Sequence, residues 1–215
     1  MKLFYSSGAS PLAAHILLRE SGLPFELERV DLQSKTWSGG DYGDINAKLY
    51  VPALLTNDGK ILTEGSVILQ YIADQVPEKR LLPPQHAFER YRALEWLNFI
   101  GMELHKNFIT RERHGDVAAN FLSKTHEGQA LTHRLVIPRL DFVATQLEEK
   151  PYLLGRQFSA PDAYLFVMLT WAGRLSLDIA RWPSLVQFYE RMRARPAVAE
   201  TLDVEGPAHS LTPPS

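Results

Sequence analysis

Up to about residue 75 the chain alternates short apolar runs with helix-like repeats, the pattern of a mixed sheet with covering helices. Residues 2–6 read as a buried strand, and 11–21 as a helix closed by Gly22 and Pro24. In 25–32 the apolar positions Phe25, Leu27, Val30 and Leu32 mark a second strand, and a polar stretch carrying Gly39, Gly40 and Gly43 reads as an exposed loop. Residues 53–56 and 60–62 flank Asn57-Asp58-Gly59, a hairpin signal because these residue types tolerate positive φ. From 64 to 75 the period turns helical, with Ile68, Tyr71 and Ile72 on one face. The predicted order is therefore βαβ followed by ββα.

Beyond Pro77, Pro83 and Pro84 the strand signals stop. The prolines forbid one continuous helix, so 77–86 reads as a linker. Phe88, Tyr91, Leu94, Leu97, Gly101, Leu104 and Phe108 then recur at helical spacing. Further helices are expected over 117–148, bent or broken near Pro138, from Ser159, over 183–195, and briefly from Pro196. The predicted organisation is an α/β domain at 1–76, the linker, an all-α domain at 87–203 and a loose tail at 204–215. Ser159 and Asp162 are spaced to cap the helix that begins there, a structural role whose loss costs about 0.5–2 kcal/mol.

Composition narrows the functional classes. Of 215 residues, 45% are hydrophobic and 22% charged, which suits a globular core. The 23 basic and 25 acidic side chains leave a net charge of 23 − 25 = −2, which argues against nucleic acid as a partner. With no cysteine, the chain forms no disulfide, offers no thiolate to a metal and supplies no attacking sulfur of its own. No apolar run is long enough for a signal peptide or a membrane span, so a cytoplasmic protein without a membrane partner is expected. There is no G-x-G-x-x-G after a strand, no P-loop, no H-E-x-x-H and no nucleophile elbow around Ser10. His126 and His133 have no third ligand in reach, so no metal is expected.

Several short segments share one order with a known family. They are Tyr5-Ser6-Ser7-Gly8-Ala9-Ser10 after the first strand, Tyr50-Val51-Pro52, Thr63-Glu64-Gly65-Ser66, and an all-helical second half with Phe158-Ser159-Ala160-Pro161-Asp162-Ala163-Tyr164. Together these resemble the cytosolic glutathione S-transferases. Glu95-Trp96-Leu97-Asn98 leading to Glu103-Leu104-His105-Lys106 makes the bacterial beta class the most similar. The resemblance implies a thioredoxin-like domain (βαβ-ββα), an all-helical domain lining the electrophile pocket, a homodimer, and glutathione as co-substrate.

It also implies roles for particular residues, each with a physical rationale. A cis Val51–Pro52 bond would turn the Val51 backbone outward to pair with the cysteinyl unit of glutathione. Glu64, Gly65 and Ser66 open a helix whose free N–H groups suit the ligand's α-carboxylate, while the Glu64 side chain accepts from its ammonium. Helix capping explains the same residues without a ligand. Lys35 would meet the glycyl carboxylate. Asn98 and His105, seven apart and hence on one helical face, would border the electrophile pocket with Lys106; a solvated face is the competing account.

The beta class typically carries cysteine where Ser10 stands, so this chain cannot form that class's mixed disulfide. Preceding Pro11, Ser10 is also a natural N-cap. As a hydrogen-bond donor it can stabilise a bound thiolate. Lowering a thiol from about 8.5 to about 6.5 takes roughly 2.7 kcal/mol, within reach of one charge-assisted hydrogen bond of roughly 1.5–3 kcal/mol plus the helix dipole. Tyr5, Ser6 and Ser7 are rival donors. Ala47 and Leu49 also depart from the family, which often has proline and glycine there. Expected is conjugation of glutathione to small apolar electrophiles, with Ser10, Tyr5 and His105 as the catalytic candidates. The alternative is a non-catalytic protein on the same scaffold that binds glutathione conjugates or apolar ligands.

Overall fold

A computed structural model describes residues 1–109 and 122–206. Strand β1 (Lys2–Tyr5) leads through a loop into helix α1 (Leu12–Ser21) and back to β2 (Glu26–Arg29). A two-stranded ribbon follows, β3 (Thr36–Trp37) and β4 (Gly40–Asp41), then the 3₁₀ turn Tyr42–Asp44. Strands β5 (Ala53–Leu55) and β6 (Ile61–Thr63) precede α2 (Gly65–Asp74). The main sheet has the order β2-β1-β5-β6, with β1 parallel to β2 and antiparallel to β5, and β5 antiparallel to β6. This is the expected thioredoxin-like βαβ-ββα unit.

The polar stretch is not simply an exposed loop. It holds the β3–β4 ribbon, and Tyr42 is fully buried against Phe4, Val30 and Ala53 in a second small core. Tyr42 donates its hydroxyl to the Tyr50 carbonyl at 3.0 Å, and Asn46 Nδ2 donates to the same oxygen at 2.7 Å. These bonds shape the turn that approaches Val51. A single aromatic among glycines and acids leaves no periodic signal, which is why pattern reading passes over it.

The helical half begins with α3 (Phe88–Phe99), continues as the π-helical stretch Ile100–His105, and ends in the short α4 (Lys106–Phe108). Then come α5 (His126–Leu147), α6 (Ala160–Arg174), α7 (Pro183–Arg193) and α8 (Pro196–Glu205). Helix α5 starts later than expected: Thr125 caps it, accepting from the Gly128 amide at 3.1 Å. Part of the expected 117–148 helix lies outside the described residues. Pro138 neither breaks nor ends α5. The tail expected from 204 is corrected too, because α8 continues to a buried Glu205; residues 207–215 lie outside the described residues.

Helix α6 is the hub. Every residue from Ala160 to Ala172 is buried, so it packs on all sides, α1 included. Its amide end is tied to the linker by Ala160 N–H to the Leu81 carbonyl at 2.8 Å. The expected Ser159–Asp162 capping box forms. Asp162 Oδ2 accepts from the Ser159 amide at 2.8 Å and its hydroxyl at 2.6 Å, while Oδ1 accepts from the Leu153 amide at 2.8 Å. Burial pushes the Asp162 carboxyl up to about 6, against these three donors. Because three donors lose their acceptor inside the protein, Asp162→Ala is expected to cost about 2–3 kcal/mol, above the range for an exposed cap. Urea midpoints of the two proteins at pH 7.5 check it.

The two halves are also clamped by ion pairs. The buried Arg90 of α3 donates from both terminal nitrogens to Asp74 of α2, at 2.9 and 3.1 Å. Arg195, before α8, meets Glu20 of α1 at 2.6 and 2.9 Å and lies 4.2 Å over the Phe158 ring.

Candidate active site

The loop from Ser6 to Ser10 leaves β1 at the end of the sheet nearest α6. Gly8 has φ +69°, a conformation that side chains rarely adopt. Both of its backbone polar atoms are held by the helical domain. The carbonyl accepts from Trp171 Nε1 at 2.9 Å and Arg174 Nη1 at 3.0 Å, and the amide donates to Glu205 Oε2 at 3.2 Å. The other Glu205 oxygen lies 2.8 Å from His15 Nδ1, and Arg19 Nε donates to His15 Nε2 at 3.1 Å. Since Nε2 accepts, the His15 proton sits on Nδ1 and points at Glu205. Both side chains of this pair are almost wholly buried.

Ser10 is half-buried at the end of this loop, and its hydroxyl is 3.4 Å from the Val51 carbonyl, a long contact. It does not cap α1. The turn closed by Leu12 N–H to the Ala9 carbonyl places Pro11 at the cap position, with no side-chain cap bond. Val51–Pro52, just before β5, is cis, and the Val51 carbonyl lies beside the Ser10 hydroxyl. Leu49 sits at φ +59°, in the left-handed region where a Cβ costs about 1–2 kcal/mol.

Glu64, immediately before α2, has φ +67° and ψ +116° and makes no cap bond. Its carboxylate is 2.5 Å from Lys48 Nζ, which also donates to Thr63 Oγ1 at 2.8 Å. Lys48 is a partner that pattern reading did not pick out. Gly65 and Ser66 form the first turn of α2, and Ser66 Oγ donates to the Leu97 carbonyl of α3 at 3.4 Å. Lys35 adopts φ +59° in the β2–β3 connection, and its carbonyl accepts from the Tyr42 amide at 2.8 Å.

Tyr5 ends β1 half-buried against the core, its ring 6.4 Å from His15. Burial, then the Glu205 charge, raise its hydroxyl above the ordinary tyrosine range. No described contact joins it to Ser10. The expected shared face of Asn98 and His105 is corrected: the wider π-helical turn lies between them, so a seven-residue step no longer returns to the same side. Asn98 and Lys106 are exposed, while His105 turns inward onto Tyr164 and Trp171.

Burial, then Lys106, lower His105 to about 4, with Glu64 opposing. The unfolded chain therefore binds a proton near 6.5 that the native ring refuses until about 4, so His105 makes stability fall as pH drops through that window. Between pH 8 and pH 5 the loss is expected to be about 2 kcal/mol. Denaturation of wild type and His105→Gln at both pH values isolates it, the variant lacking that part of the slope.

A recess of about 860 Å³ lies elsewhere, between the linker, α3 and α5, with Trp96, Phe99 and Phe142 on its wall. It shares no lining residue with the site around Ser10. Among the described residues no cluster of acidic or histidine side chains is arranged to hold a metal.

Comparison with known proteins fits this geometry. Residues 10–75 match the family described as glutathione S-transferase, N-terminal domain, and 134–196 match glutathione S-transferase, C-terminal domain. Glutathione S-transferase GstA of Escherichia coli O157:H7 is 42% identical over 208 residues, covering 96% of this chain and 99% of the relative. Glutathione S-transferase GST-4.5 of Xanthomonas campestris pv. campestris is 35% identical over 210 residues, covering 96% and 99%. Among solved structures, a ternary complex of BphK, a bacterial transferase, superposes with a TM-score of 0.87 at 47% identity, covering 96% of this chain and all of that one. A sphingomonad glutathione S-transferase complexed with glutathione gives 0.86 at 38%, covering 96% and 99%. With both of its halves matched and full-length relatives well above 30% identity, the chain belongs to the glutathione S-transferase family.

Proposed function

We infer that the protein is a glutathione transferase that binds glutathione as its thiolate and adds the sulfur to small apolar electrophiles. The observation that carries this reading is the convergence, in a chain of this family, of the Ser10 hydroxyl and the Val51 carbonyl beside the cis Val51–Pro52 step. The cysteinyl unit pairs with the Val51 backbone there, which delivers its sulfur to Ser10. Glu64, Gly65 and Ser66 take the glutamyl end at the start of α2, and Lys35 takes the glycyl carboxylate. His105 borders the electrophile with Lys106 beside it in the chain, whereas Asn98, which does not share the His105 face, stands outside that border. Catalysis is then proximity plus electrostatic stabilisation of a nucleophile that the substrate brings.

Ser10 holds the place of the beta-class cysteine, so the thiolate is stabilised by a hydrogen bond and no mixed disulfide forms. Residues 1–76 act as the glutathione domain, 77–86 as linker and 87–203 as the domain completing the electrophile pocket. The working unit is a cytoplasmic homodimer. Phe88 and Tyr91 on α3 and Phe142 on α5, left outside the core, support a second copy as partner. Among the described residues no helix is long and apolar enough to cross a membrane. Steady-state conjugation with a panel of electrophiles tests the reading. Turnover above the rate of free glutathione is expected with at least one; tight glutathione binding without turnover on any would favour the non-catalytic alternative.

A further inference from the structure

Tyr164 and Trp171 stand seven residues apart on α6, on one face of that helix, and the His105 ring lies against both. It is 86° to the Tyr164 ring with centroids 5.8 Å apart, and 78° to the Trp171 ring at 4.9 Å. The Tyr164 side chain is buried and its hydroxyl is 2.5 Å from His105 Nδ1. A Cβ at Gly101 would lie 3.7 Å from both Tyr164 Oη and Ser66 Oγ, so α2, the π-helical stretch and α6 converge here. The π-helical turn carries His105 inward to this point, and such turns are frequent at functional sites.

The direction of the short bond follows from its two groups. Burial, with the Glu64 charge adding to it, raises the Tyr164 hydroxyl far above the ordinary tyrosine range, so it keeps its proton. The imidazole is neutral near pH 7 for the reasons given above. Two charged groups act on that ring, Lys106 beside it in the chain and Glu64 at the start of α2; the α6 side chains against it, Tyr164 and Trp171, carry no charge. A phenol that keeps its proton donates to the free lone pair of Nδ1, which leaves the imidazole proton on Nε2. Nε2 has no protein partner among the described residues, and no buried side-chain nitrogen there lacks one, so Nε2 opens onto accessible space.

We propose that Tyr164 is a positioning residue for His105: its hydroxyl fixes the Nε2–H tautomer and so makes Nε2–H a hydrogen-bond donor towards the sulfur in the cleft between the domains. This rests on the glutathione reading above. The opposite tautomer would aim a lone pair at a thiolate and repel it.

Long-range proton–nitrogen correlation spectra of the ¹⁵N-histidine-labelled wild type, with His105→Asn used for assignment, read the tautomer directly. The expected result is Nε2–H alone, without protonation between pH 8 and pH 5.5. In Tyr164→Phe the ring should populate both tautomers, and kcat for conjugation should fall about tenfold with the KM for glutathione changed less than about twofold. An Nδ1–H tautomer in the wild type, or an unchanged kcat in Tyr164→Phe, overturns the proposal. If the variant does not fold, the wild-type spectrum decides alone. Calorimetry on the wild type separates the two levels: no glutathione binding removes the functional reading and the donor role with it, whereas binding with the wrong tautomer removes only the role of Tyr164.

Discussion

Replacing Glu205 with alanine is expected to lower the free energy of unfolding by about 3 kcal/mol, comparable to the loss of Asp162. Two donors lose their acceptor at once, the buried His15 Nδ1 and the part-buried Gly8 amide, and each buried bond left unmade costs about 1–3 kcal/mol. The cavity left by the side chain adds to this. Because the lost contacts join α8 to α1 and to the Ser6–Ser10 loop, the loop should loosen along with the fold. Glu205→Gln retains a carbonyl oxygen for one of the two donors and should cost about half as much. Urea unfolding midpoints at constant slope check both; equal and small shifts in the two variants would mean that the buried pair contributes little.

Ser10→Ala is expected to reduce kcat/KM for conjugation near pH 6.5 by about 10–100-fold while leaving stability nearly unchanged. Its hydroxyl makes only a 3.4 Å contact with the Val51 carbonyl and does not cap α1, so little in the fold depends on it. On the proposed reading it stands as a donor beside the Val51 backbone with which the cysteinyl unit pairs. One hydrogen bond to a charged acceptor is worth roughly 1.5–3 kcal/mol, which sets the size of the loss. Tyr5→Phe provides the contrast. Tyr5 packs against the core beside His15 and should change the rate less than about threefold. Kinetics of the two variants over pH 6–9 with a single electrophile distinguish the donors, since recovery of Ser10→Ala at high pH marks a thiolate defect.

What was legible in the sequence was local. The strands around the Asn57-Asp58-Gly59 turn and the Ser159–Asp162 cap follow from neighbours a few residues apart, and the structure places them within a residue or two of expectation. The features that escaped are long-range or subtle in period. Glu205 meets Gly8 across 197 positions and Trp171 meets it across 163, and no window of sequence joins them. Tyr164 carries no signal of its own beyond ending the Phe158–Tyr164 segment, and only the packing of α6 on the π-helical stretch brings it to His105. The extra residue in that turn is invisible to a fixed helical repeat, which is why Asn98 and His105 were expected to share a face. The pairing of Lys48 with Glu64 likewise depends on how the loop before β5 folds back over the start of α2.

On the proposed reading this chain, lacking any cysteine, lowers the pKa of a thiol it does not own. Ultraviolet difference titration of the glutathione complex from pH 5 to pH 9, following thiolate absorbance, measures that pKa directly. About 6.5 is expected for the wild type and a value one to two units higher for Ser10→Ala; a wild-type complex that titrates near 8.5, like an unperturbed thiol, would mean that the chain does not stabilise the thiolate.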